Sequence, residues 1–147
     1  MPTDPNISVI AHVIQLAVAP VFLLTGVGAL LTVMTNRLAR VIDRARVLEA
    51  QFAGLDAAAR TAATAELGVL ARRARLASWA INFCTFAALL VCSVIATLFI
   101  DAFLGTNLKW LVGALFVTAM IALIGGLISF LREVYSATHT LHIGPPQ

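Results

Sequence analysis

The sequence predicts an all-α membrane protein with three transmembrane helices and a cytoplasmic antiparallel helical hairpin between the first and the second. Three observations carry this prediction. Apolar residues make up 61% of the chain and charged residues 12%, against about 45–50% and 25% in soluble domains. Three apolar runs exceed the roughly 18–20 residues that cross a bilayer. Eight of the ten basic residues crowd into one stretch: Arg37, Arg40, Arg44, Arg46, Arg60, Arg72, Arg73 and Arg75. A soluble fold this apolar could not cover its surface and would aggregate. The 147 residues read as one membrane domain.

The first span is expected over residues 7–35. Asp4 before Pro5 is a helix start, an N-cap followed by proline at the first helical position. The leading MPTDPNIS has no basic region, and the apolar run after it is too long for a signal peptide, so it reads as a retained anchor. The second span covers 76–104, with Gly105 as its stop. Asn107 is expected to cap the third, over 108–131. The turn between them is short enough to make these two helices antiparallel neighbours. The tail, 139–147, ends in Gly-Pro-Pro-Gln and is expected to be flexible.

Residues 36–75 are expected to form the hairpin. Leu38, Val41, Ala45, Leu48 and Phe52 recur at three- and four-residue steps, as do Ala63, Leu67, Leu70, Ala74 and Ala77. Each set is an apolar stripe along one helix. Gly54 lies between the arms, and Asp56 can cap the second, whose alanines favour helix. No proline or glycine breaks the junction with the first span, so one helix could run from Ile7 to Phe52. Basic residues mark the cytoplasmic side. That puts 36–75 and the C-terminus inside and the N-terminus outside.

Polar residues inside the spans are the candidate functional groups. On the first helix His12, Gln15, Thr25, Thr32 and Asn36 join small residues along one face. Asn82 adds an amide to the second helix, and Asp101 a carboxylate near its outer end, within reach of Lys109. Rows of Gly, Ala, Ser and Thr usually pack helices in lipid. Amides and imidazole are harder to place, since a polar group without partners in hydrocarbon costs several kcal/mol. Pro20 frees a backbone carbonyl, and Gly26 and Gly28 follow it, so this stretch is a candidate hinge, with a fixed kink the simpler reading. Arg37, Arg40, Arg44, Arg72, Arg73 and Arg75 form a basic face. Trp79 and Trp110 read as interfacial anchors.

Other chemistry finds little footing. Cys84 and Cys92 lie eight residues apart on one helix, about 12 Å along its axis, too far to pair, and both read as small core residues. His139 and His142 share a face, but two ligands do not make a metal site. Phosphate-loop, zinc-protease and nucleophile-elbow motifs are absent, so no enzyme and no cofactor are expected.

The stretches IAHVIQLAVAPVFLLTGVGALL, NRLARVIDRARVLE and LARRARLASWAI resemble the domain-of-unknown-function 2721 family of small bacterial membrane proteins, from Ile10 to about Tyr135. The resemblance implies three membrane helices in a bacterial inner membrane. It assigns no catalytic or binding residue.

These observations lead to a homo-oligomer whose first helix lines a polar path, an ion channel, with the bilayer as its main partner. The alternative is a non-conducting scaffold whose basic hairpin binds a cytoplasmic protein or anionic lipid. Nucleic acid is not expected as a partner. A transporter ranks third, because no internal repeat is visible.

Overall fold

A computed structural model describes the backbone of residues 5–105 and 107–139 and the side chains of residues 10–105 and 107–136. Asp4, His142 and the expected flexible tail beyond 139 lie outside the described residues. Three long helices make up the chain: α1 (Pro5–Gln51), α2 (Ala57–Leu104) and α3 (Lys109–His139). No strand occurs among the described residues. All three helices are long and apolar enough to cross a membrane.

At 1.5 Å per residue, the 47 residues of α1 and 48 of α2 each reach about 70 Å, more than twice a bilayer's hydrocarbon thickness of roughly 30 Å. Expected span and expected hairpin arm are thus one continuous helix in both cases. α3 continues eight residues past the expected end at 131, because nothing in Arg132–His139 breaks a helix.

The ends of the helices follow local chemistry. A single 3₁₀ turn, Phe52–Gly54, separates α1 from α2. Asp56 caps α2: its Oδ1 accepts the Ala59 N–H at 2.8 Å while its carbonyl accepts Arg60 N–H at 2.9 Å. α2 ends before Gly105, whose φ of +63° suits a residue without Cβ. Its N–H closes the last turn on the Asp101 carbonyl at 2.9 Å. The start of α3 differs from expectation. Leu108, not Asn107, holds the cap position, its carbonyl accepting Val112 N–H at 3.1 Å. Its own N–H goes to Asp101 Oδ1 at 3.1 Å. A carboxylate one turn before the end of α2 therefore holds the residue from which α3 starts.

The chain folds as two compact units, one from residues up to 31 with 83–124, the other from 32–82 with 125 onward. Both are built on a seven-residue register. In the first, Val13, Pro20 and Val27 are buried on α1, Cys84 and Val91 with Ala87 and Val94 on α2, and Ala119, Ala122 and Leu123 on α3. In the second, the buried positions are Met34, Val41 and Leu48, then Ala63, Leu70, Ala77 and Ala80, then Gly126 and Glu133. Steps of seven, split three and four on α2, are the seam of helices packed knob into hole. Small residues at these positions let backbones approach, the usual device in lipid. The seam explains Cys84, which is buried, and corrects Cys92, which is exposed because it lies one residue past Val91.

Both stripes read from 36–75 are turned inward. Val41, Leu48 and Leu70 form one cluster, with Ala45, Leu67 and Ala74 packed against it. Arg44 Nε reaches Glu66 Oε1 across it at 2.9 Å. Outside the seams large apolar side chains face outward: Phe22, Phe103 and Trp110 are 73%, 77% and 78% exposed. Such a surface belongs against acyl chains rather than water.

Candidate functional site

Among the described residues, the seam of the second unit holds one polar residue. Glu133 lies on α3 at the position that Gly126 occupies one heptad earlier, and is 1% exposed. Arginines from the other two helices reach it. From α2, Arg73 donates through Nη2 at 3.1 Å and Nε at 3.3 Å to Oε1. From α1, Arg37 Nη2 stands 3.2 Å from Oε2. That last contact is an ion pair without hydrogen-bond alignment, so Oε2 accepts no hydrogen bond despite its burial. Arg37 also lies over the Phe130 ring, 5.4 Å from its centroid, one helical turn before Glu133.

All three helices therefore meet at one carboxylate. Arg37 and Arg73 belong to the basic face read from the sequence; Glu133 escaped that reading. It lies just past the expected end of the third span, beside Arg132, where a charge looks like an ordinary flank. The spacing Ala119–Gly126–Glu133 is the signal that places it inside.

Arg37, Arg40, Val41, Arg44, Leu70 and Arg73 also line a cavity of about 360 Å³. Glu133 holds two of its arginines and Glu66 a third, leaving Arg40 for any ligand. Arg40, Arg72 and Arg75 are exposed.

The polar face of α1 points the other way. Gln15 follows buried Val13 by two residues and Thr25 precedes buried Val27 by two. Thr32 and Asn36 flank buried Met34 in the same manner. Two residues turn a helix through about 200°, so all four side chains face away from the seam and are exposed, as is His12. Gly26 and Gly28 are exposed, and a Cβ added at either would meet nothing within 4 Å. Pro20, the remaining hinge candidate, is buried in the seam itself.

Hydroxyls in the spans largely satisfy themselves. Thr25 donates to the Val21 carbonyl at 3.3 Å, Ser93 to Leu89 at 3.0 Å, Thr97 to Ser93 at 2.7 Å and Thr118 to Ala114 at 2.7 Å. This back-bonding removes the need for outside partners. An amide cannot be satisfied by one such bond, so the exposed Gln15, Asn36 and Asn82 remain the demanding groups. In the first unit, His12 and Asp101 line one cavity of about 730 Å³ with Lys109 and Leu16.

A family model described as "Protein of unknown function (DUF2721)" matches residues 17–143. The chain belongs to that family. The matched region contains Arg37, Arg73 and Glu133 and begins after His12 and Gln15. No curated protein and no solved structure matches the chain.

Proposed function

We propose that this chain is a homo-oligomeric integral membrane protein of the bacterial inner membrane, in which the first helix of each copy lines an ion path. The carrying observation is the position of Gln15, Thr25, Thr32 and Asn36 on the side of α1 turned away from the chain's own seam. Apart from Glu133, the buried seams among the described residues are apolar and offer no continuous polar route through a single chain. A polar route must then lie between copies. Amides facing acyl chains would each cost several kcal/mol, and apposition of copies through this face relieves that cost. His12 and Asp101 would stand at the outer mouth, where a ring of carboxylates attracts cations. No chemical step is assigned to any residue, so this reading is not enzymatic.

Cysteines placed singly at Gln15, Thr25 and Thr32, with Cys84 and Cys92 replaced by alanine, should cross-link between copies in membranes. The purified protein should pass cations across a planar bilayer. Labels at these positions that sense only acyl chains, or a monomer in native mass spectrometry, would overturn the proposal.

A second reading is a scaffold, favoured by one observation: Arg40, Arg72 and Arg75 are exposed while Glu133 engages their neighbours. Charge reversal at Arg40 and Arg75 should then release an acidic cytoplasmic partner in pull-downs and leave cross-linking through α1 intact.

A further inference from the structure

A second basic cavity differs from the one beside Glu133 in both charge and wall. Arg72 and Leu76 on α2 face Leu131, Arg132, Tyr135 and Ser136 on α3 around a space of about 710 Å³, a size typical of small-ligand sites at roughly 300–1,000 Å³. No carboxylate lines it among the described residues. The ion pairs found among the described residues engage Arg37, Arg44 and Arg73, not Arg72 or Arg132. The cavity therefore carries two guanidinium groups without a counter-charge among the described residues.

Its walls change character along their length. On α2 the arginines end at Arg75 and the apolar run starts at Leu76; on α3 the apolar run ends at Leu131 and Arg132 follows. Both helices cross from apolar to charged at this one cavity. Leu131 and Tyr135 are exposed, so it opens outward. Trp79, one turn further along α2, is also exposed, and tryptophan favours headgroup depth. A cationic end joined to an open apolar wall at that depth matches a phospholipid better than a free anion, which has no use for leucines.

We propose that this cleft binds the phosphodiester headgroup of an acidic phospholipid. The guanidinium groups of Arg72 and Arg132 grip the phosphate oxygens, for which their planar forks are suited. Tyr135 and Ser136 line the cleft beside them, and the acyl chains lie along Leu76 and Leu131. An acidic lipid is favoured over a zwitterionic one because the choline or ethanolamine cation would meet two arginines and no carboxylate. The inference does not depend on ion conduction, since every residue it uses lies outside the polar face of α1.

The test is lipid titration of the full-length protein in mild non-ionic detergent, followed by native mass spectrometry. Phosphatidylglycerol, phosphatidylcholine and inorganic phosphate are the probes. Wild type should retain phosphatidylglycerol over phosphatidylcholine, and R72Q/R132Q should lower that retention roughly tenfold or more, as loss of two basic side chains near an anionic surface implies. R46Q/R60Q removes the same charge from exposed positions elsewhere and should retain the lipid. All four arginines are exposed, and circular dichroism should show each variant folded. Equal loss in both variants, equal retention of phosphatidylcholine, or displacement of the lipid by millimolar phosphate would each overturn the proposal.

Discussion

Glu133 shows how much one side chain can hold. Its carboxylate joins α3 to Arg37 of α1 and Arg73 of α2, and nearly all its surface is out of water. A buried ion cluster is not a free gain, since desolvation offsets much of the attraction; removing one member is the costly event, because the others remain buried without a counter-charge. Arg37 and Arg73 keep 33% and 23% of their side-chain surface exposed, so the cost falls at the low end of the usual range. Glu133→Gln should lower stability in detergent by about 3 kcal/mol, read as an earlier thermal transition. The exposed Arg44–Glu66 pair is the control: Glu66→Gln should cost no more than about 1 kcal/mol. Equal effects from the two substitutions would refute a structural role for the triad. The basic face was legible in the sequence as a set of arginines, but its division was not. Which arginines turn inward depends on where a distant acid lies, and Glu133 is 60 residues from Arg73.

At the scale of the helices, the sequence was most legible where water supplies contrast. The stripes at 38–52 and 63–77 stood out because polar residues occupy the other faces, and both are turned inward. Within the spans most positions on every face are apolar, so the period is faint. The seam there consists largely of alanine and valine, which look no different from the outward-facing residues beside them. Helix ends were legible where one side chain decides them, as at Asp56 and Gly105, and illegible where a distant group does, as at Leu108 and Asp101. Asp56→Ala should therefore cost about 1 kcal/mol of stability by loss of the N-cap, measurable by chemical denaturation. Gly26 and Gly28 make a sharper test. A methyl group at either meets no atom of the same chain, and alanine favours helix over glycine by roughly 1 kcal/mol. In an isolated chain, G26A and G28A should thus stabilise α1. If copies pack through this face, the same changes should weaken oligomers in cross-linking while leaving helicity intact. Unchanged assembly would place α1's outward face against lipid.

For the whole molecule, the governing quantity is where the charges lie along the chain. Between Arg37 and Arg75 stand eight basic residues and four acids, Asp43, Glu49, Asp56 and Glu66, a net of 8 − 4 = +4. The α2–α3 turn carries only Lys109, with Asp101 one turn away. Basic segments are retained on the cytoplasmic side, and three spans then fix both termini. α1 and α2 are each too long for the bilayer by about 40 Å. If the apolar runs sit in the bilayer, the surplus of both should fall toward their joined ends around residues 51–57, on the side of the arginines. The sidedness follows without reference to function: residues near 55 should lie inside, and the turn near 107 outside. With Cys84 and Cys92 replaced by alanine, Asn107→Cys should react with a membrane-impermeant maleimide on intact cells. Ala58→Cys should react only after permeabilisation; both positions are exposed, so a failure to label reflects sidedness rather than burial. The reverse pattern would invert the chain. It would put the basic segment 37–75 on the outer side, against the retention of basic segments inside.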